Sequence, residues 1–374
     1  LSAGDLERRR GWGLTLWTAL TCGLVCTFIA WRSYEPHTFL FGDCPYYAAA
    51  AVSLIADGDL RIQNNIQGGA EVHAGQVSVG ADGEWRPKHP VLMSAVSVPF
   101  LLVFGVKGLL IFNVAVLMLL AGLTHRIALR GASPPVAALA TAITFLMTFV
   151  VTYAYNYSPD AFAAIPGLLA LLFLLDGRPL AAGIAAGLAF LAKPVHVLLV
   201  AIAGLVVLRT SGWRGGLRYA AGAIPSAVAV MVYNTLLFGG PLTFSYDRIL
   251  YLQAGTVSQR ADFDLALIPG NLRGQFLDLQ HGLLFTAPSA LVALVGVAIL
   301  WRRRPREAIV PLLVALGYVA FFSTYAPWMT SHFGNRFLFI PVLASALPLA
   351  ALLGRVRLRA SSPATAPVTP SRVS

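Results

Sequence analysis

Asp43 stands in the sequence GDCPYY, a single carboxylate ahead of the Tyr- and Ala-rich stretch Tyr46–Asp57. It can cap the helix that Pro45 begins, or it can take a proton from an acceptor hydroxyl as a general base. The sequence leaves both roles open. Asp57 and Asp59 flank Gly58 where that helix should end, and read as cap and turn residues. Lys88, in Lys88-His89-Pro90, can snorkel from the mouth of an apolar helix or hold a phosphate beside the helix N-terminus. Asp160 follows Tyr157-Ser158-Pro159, where its charge suits the first turn of a helix. Lys193, in Lys193-Pro194-Val195-His196, lies between apolar runs and needs an anionic partner; a phosphate and Asp160 are the candidates, and His196 reads as structural. Arg336, in Gly334-Asn335-Arg336, opens the last apolar run and has the planar fork suited to phosphate.

These groups need a scaffold, and the composition says what kind. The 374 residues are 57% hydrophobic and 11% charged, with a mean hydropathy of +0.72. Soluble domains carry about 25% charged residues, so the chain reads as an all-α polytopic membrane protein. A hydrocarbon core ~30 Å thick takes roughly 20 apolar residues per helix. Ten runs are candidates: Gly11–Trp31, Gly108–Leu123, Pro134–Tyr153, Ala161–Leu175, Leu180–Leu191, Val195–Leu208, Leu217–Phe238, Leu283–Trp301, Ala308–Tyr325 and Phe337–Leu353. Those starting at Ala161, Leu180 and Val195 are short for a crossing. Pro90–Val106 is long enough but holds Pro90 and Pro99.

Charge decides how that last run is read. If Pro90–Val106 is a re-entrant or surface helix, 17 of the 27 Lys and Arg and 4 of the 16 Asp and Glu fall on the inner side. That distribution obeys the positive-inside rule, and it predicts about ten spans with both termini in the cytoplasm. Asp43, Lys88, Asp160, Lys193 and Arg336 then share the outer face. Residues 1–10 form a cytoplasmic N-terminus, 11–354 the transmembrane domain, and 355–374 a tail expected to be disordered. The outer segments 32–107 and 239–281 are long for a compact protein, which points to function. Amphipathic or re-entrant helices are expected in the first, where Tyr47, Ala51, Leu54 and Ile55 recur on one helical face.

Several chemistries have no motif here. There is no Walker A loop, HExxH, GxSxG or dinucleotide fingerprint, and the three cysteines lack zinc spacing. The arginines are scattered over inner loops, so no nucleic-acid partner is suggested. A transporter or flippase would place polar residues at mid-bilayer. The runs contain few, chiefly Asn113 and Asn234.

The stretches GDCPYYAAAAVSLIADGDL, KHPVL, YNYSPDA, HGLLFTAP and SHFGNRFLFIPVLASALPL, in that order, resemble the GT-C superfamily of integral membrane glycosyltransferases. That superfamily includes the protein O-mannosyltransferases and the bacterial aminoarabinose transferases. The resemblance runs from about Gly11 to Leu353 and implies transfer of a sugar from a polyprenyl-phosphate carrier. The acceptor would be a glycan, lipid or protein on the exterior face of the plasma membrane. Asp43 matches the family's first-loop catalytic base, and Asp160 an acidic position at an outer helix start. Lys88 and Arg336 match phosphate contacts, while His89, Tyr157, Lys193 and His281 complete the expected substrate surroundings. Many members carry two adjacent acids in the first loop, whereas Cys44 follows Asp43 here. A divalent cation, if the enzyme uses one, would therefore have Asp43 as its ligand. No large soluble C-terminal domain is expected, which would leave acceptor recognition to the two outer segments.

Overall fold

The structure, a computed structural model, describes residues 3–33, 42–66, 75–251, 256–258, 263–329 and 333–360. Of the expected disordered tail 355–374, residues 355–360 belong to the last helix, Ala346–Ala360, and 361–374 lie outside the described residues. In chain order the elements are α1 (Ala3–Arg32), α2 (Cys44–Ala56), β1 (Val77–Val79), β2 (Trp85–Pro87), α3 (Leu92–Phe104), α4 (Val106–Ala128), α5 (Pro134–Leu146), α6 (Pro159–Leu175), α7 (Pro179–Ala192) and α8 (Val197–Phe238). They continue with β3 (Ile249–Tyr251), β4 (Thr256–Ser258), α9 (Ile268–Leu277), α10 (Leu283–Thr286), α11 (Pro288–Arg303), α12 (Pro305–Ser323), α13 (Phe339–Ala344) and α14 (Ala346–Ala360). Prolines at the first turns of α5, α6, α7, α11 and α12 start these helices where a missing N–H costs nothing.

The protein is a helical membrane fold, but fewer helices reach across than hydropathy runs suggest. Among the described residues, five stretches are long and apolar enough to cross: Gly11–Arg32, Val106–Ala128, Pro194–Phe238, Pro305–Ser323 and Arg336–Val356. A sixth arises if α5 and the 3-10 segment Phe149–Tyr155, bent by 64°, are one span. Length and composition alone do not confirm the expected ten. Helices α6 and α7 have 17 and 14 residues, or ~25 and ~21 Å at 1.5 Å per residue. The run Leu283–Trp301 is divided at Ala287 into α10 and α11.

The chain reverses at two glycines. In α8, Gly212 takes φ 65° and ψ −172°, and Tyr219 Oη donates to the Val200 carbonyl at 2.8 Å. Nineteen residues of straight helix would hold those groups ~28 Å apart, so Pro194–Phe238 is two legs folded together. Likewise α3 ends at Gly105 (φ 61°) and α4 starts at once. A Cβ on Gly108 would lie 1.9 Å from the Phe100 carbonyl oxygen, which shows how tightly α3 doubles back on α4. With 13 residues, α3 is too short to cross.

The two outer segments are joined by a four-stranded antiparallel sheet in the order β2-β1-β3-β4. Register pairs are Val77↔Pro87, Ser78↔Ile249 and Ile249↔Ser258. Ser78 Oγ donates to the Ser245 carbonyl, and Ser245 Oγ to that of Lys88, at 2.7 and 2.5 Å. The sheet thus brings Tyr246 of the second segment against Lys88 and His89 of the first. Beneath it, Phe145, Phe149, Tyr157, Phe322 and Phe339 are fully buried. Large apolar side chains such as Trp17, Leu24, Phe28 and Leu236 face outward, as lipid-facing surfaces do.

Candidate active site

Helix α2 begins the site. Its Ala48–Ala51 run packs closely, and Tyr46, Tyr47 and Ser53 are buried with it, whereas Leu54 is half-buried and Ile55 exposed. Of the expected Tyr47/Ala51/Leu54/Ile55 face, Tyr47 and Ala51 are buried, and the face opens toward the helix end at Leu54 and Ile55. The helix end is locked by Ser53 Oγ, which donates to Asp59 Oδ1 at 2.9 Å, while Asp57 accepts from Asn65 at 2.6 Å. Asp57 and Asp59 act in the turn.

Asp43 occupies the N-cap position but does not cap. Its backbone is helical (φ −78°, ψ −19°) and its side chain takes no helix N–H. Instead Arg336 Nη1 donates to Asp43 Oδ2 at 2.9 Å, and His89 Nε2 lies 3.6 Å from Oδ1. The pair is largely withdrawn from solvent, with side chains 13% (Asp43) and 19% (Arg336) exposed. Burial alone would raise the Asp43 carboxyl, but His89, Arg336 and Lys88 hold it well below the ordinary carboxylate range. Burial lowers His89 against the opposing pull of Asp43, and Arg336 supplies a permanent charge beside the carboxylate.

His89 is held on three sides. Its ring stacks on Tyr47 with centroids 5.1 Å apart and an angle of 16°. Nδ1 meets the Tyr246 hydroxyl at 3.3 Å and Nε2 meets Gln76 Oε1 at 3.1 Å. Lys88 Nζ donates to the Gly75 carbonyl at 2.7 Å and lies 5.8 Å above the Tyr246 ring.

A second ion pair stands beside the first. Asp160, in the first turn of α6 behind the N-cap Ser158, accepts from Lys193 Nζ at the end of α7. Both are buried, and Lys193 is lowered by burial against the opposing pull of Asp160. Phe337 joins the two pairs, with Lys193 Nζ at 5.0 Å from its ring centroid and Arg336 Cζ at 5.2 Å. Gly334 makes the approach to Arg336: it has φ +76°, and an added Cβ would come 2.2 Å from Phe149.

The fold brings Asp43, Lys88, His89, Arg336, Asp160 and Lys193 together, from segments up to 293 residues apart. Tyr157 and His281 make other contacts. Tyr157 is fully buried, its hydroxyl 2.7 Å from Ser97 Oγ and its ring edge-on to Phe112. His281 is held three residues along the chain by Asp278, with Nδ1 3.0 Å from Oδ1. Tyr246 and Tyr47 belong to the site although sequence reasoning did not single them out as site residues. The one signal for Tyr246 was an aromatic beside charges in an outer segment. Cys44 Sγ donates to Asn156 at 2.8 Å, tying the start of α2 to the loop before α6.

A divalent cation does not fit these residues. Among the described residues no three of His, Cys, Asp or Glu converge on a point that could hold a metal ion, and a guanidinium already neutralises Asp43. No family model matches the sequence, and no curated protein matches it. Two solved structures do match in fold. The fold is ArnT-like. The crystal structure of ArnT from Cupriavidus metallidurans bound to undecaprenyl phosphate superposes with a TM-score of 0.55 at 16% identity, over 89% of this chain. The apo ArnT structure from the same organism gives 0.53 at 18% identity, over 89%. This chain spans 59% of the length of either ArnT chain.

Proposed function

We propose that the protein is a glycosyltransferase of the plasma membrane that moves a sugar from a polyprenyl-phosphate carrier to an acceptor hydroxyl at the non-cytoplasmic face. The observation that carries this reading is the Asp43–Arg336 pair (2.9 Å), with Lys88 and His89 adjoining it. A carboxylate held ionised beside cations can take a proton while the cations take an anion. The acceptor O–H passes its proton to Asp43, and its oxygen attacks the anomeric carbon in an inverting displacement. The bond from that carbon to the phosphate oxygen breaks, and the bond pair leaves with the phosphate. Arg336 and Lys88 stabilise the charge that grows there. Asp160 and Lys193 flank the same space and keep Phe337 and Arg336 in place.

The ArnT-like fold supports the carrier class, since one ArnT structure is bound to undecaprenyl phosphate. A transport route has less support. Asn113 Nδ2 donates to the Tyr153 carbonyl at 2.7 Å, and Asn234 Nδ2 to that of Pro241 at 3.3 Å, so both mid-span amides serve the local backbone.

The test incubates membranes containing the protein with labelled polyprenyl-phosphate sugars and follows label into product. Asp43→Asn is expected to cut transfer at least ~10²-fold while undecaprenyl phosphate still binds. Full transfer by that variant refutes the assignment of Asp43. Vectorial movement of the lipid in proteoliposomes without sugar transfer refutes the enzyme.

A further inference from the structure

Tyr47 is built into the site with nothing to bond. It is 2% exposed. The Tyr47 carbonyl accepts from Ser94 Oγ of α3 at 2.8 Å, and its ring lies parallel to His89, so backbone and ring are both fixed. Yet its hydroxyl has no hydrogen-bond partner among the described residues. The hydroxyls of Tyr157, Tyr219 and Tyr318 find one, in Ser97, the Val200 carbonyl and His196; among the described residues that of Tyr233, away from the ion pairs, also lacks one. A buried hydroxyl without a partner is costly and calls for a reason.

The position of the ring supplies one. His89, on which the ring lies, is 3.6 Å from Asp43 Oδ1, and Arg336 holds the other oxygen of that carboxylate, so the hydroxyl is carried on a ring that borders the Asp43–Arg336 pair. Burial raises its pKa, which leaves a neutral O–H that can donate. Beside a guanidinium, such a group completes an anion site without adding charge.

We propose that Tyr47 contacts the substrate directly, donating a hydrogen bond to a phosphate oxygen of the lipid carrier next to Arg336. This rests on the carrier-dependent reading above. When the sugar leaves, the phosphate diester becomes a monoester and gains negative charge, so the bond from Tyr47 strengthens as the reaction proceeds.

Tyr47→Phe removes only the hydroxyl. The experiment compares thermal unfolding of the purified protein in detergent alone, with undecaprenyl phosphate, and with undecaprenol, which lacks the phosphate. The variant should melt at the same temperature as the unsubstituted protein or higher, because the orphan hydroxyl is gone. Its stabilisation by undecaprenyl phosphate should shrink, with affinity down roughly 5- to 30-fold, and undecaprenol should stabilise neither protein. A lower melting temperature, or failure to fold, shows that the hydroxyl is structural and overturns the proposal. An unchanged response to undecaprenyl phosphate, or an equal response to undecaprenol, also overturns it. If the unsubstituted protein does not respond to undecaprenyl phosphate at all, the carrier reading itself fails.

Discussion

At the residue scale, Arg336 and not the helix terminus sets the state of Asp43. Replacing Arg336 with Gln removes one of the charges that, with His89 and Lys88, oppose burial, so the carboxyl rises and the acid limb of the pH–rate profile should move to higher pH. The stability effect has a definite sign. Asp43 in the native protein is depressed, so its pairing stabilises the fold fully above the unfolded value near 3.9 and is lost as pH falls through the lower native value. In Arg336→Gln the carboxyl is less depressed, so part of that stabilisation is lost at neutral pH. Breaking such a pair should cost about 3 kcal/mol, read from melting across pH. An acid limb that stays in place would show that another group governs Asp43. The residue types around Asp43 were legible in sequence, and so was their suitability for phosphate. What was not legible was that Asp43 forgoes its cap, because a backbone N–H and a distant guanidinium compete for the same oxygen and only the fold delivers the guanidinium.

At the element scale, the site depends on how α3 turns back. Ser94 of α3 bonds the Tyr47 carbonyl, and α3 keeps its place because Gly108 lets Phe100 approach. Gly108→Val should therefore displace α3, destabilise the protein by about 1–3 kcal/mol through overpacking and lower transfer with it. Gly270→Ala is the control. A Cβ there meets nothing within 4 Å, and helix propensity should make α9 up to ~1 kcal/mol more stable. Thermal melting of both variants checks the pair, and equal effects would refute the close approach as the cause. Pro90–Val106 was legible as an element that does not cross, from its prolines and the charge pattern. Its reversal at Gly105 was not.

At the scale of the whole molecule, α6 separates two charged ends. Asp160 opens it at the site, and Asp176 caps its far end, ~25 Å away at 1.5 Å per residue. At that far end Arg130 pairs with Asp176 and, at 3.5 Å, with Glu307, while Arg304 donates to the Arg130 carbonyl. These are the loops whose arginines mark an inner face by the positive-inside rule. Cys22, Cys26 and Cys44 are buried, so introduced thiols should report sidedness with little background. Arg61→Cys is expected to react with an impermeant maleimide on intact cells, and Arg302→Cys only after permeabilisation. Reaction of both on intact cells would overturn the orientation.

Composition and charge spacing by themselves determined a helical membrane protein in which Asp43, Lys88, Asp160, Lys193 and Arg336 are segregated from the arginine-rich loops. Those properties belong to single segments and survive without knowing who touches whom. Tertiary structure decided the rest. An apolar run does not record every break within it, so Leu283–Trp301, read as one run, is divided at Ala287. Three-residue strands are too short to show a period, so the sheet tying Tyr246 to His89 left no pattern to read. The site itself closes over 293 residues, from Asp43 to Arg336. No local preference encodes that pairing. It follows from packed helices and from Gly334 fitting against Phe149.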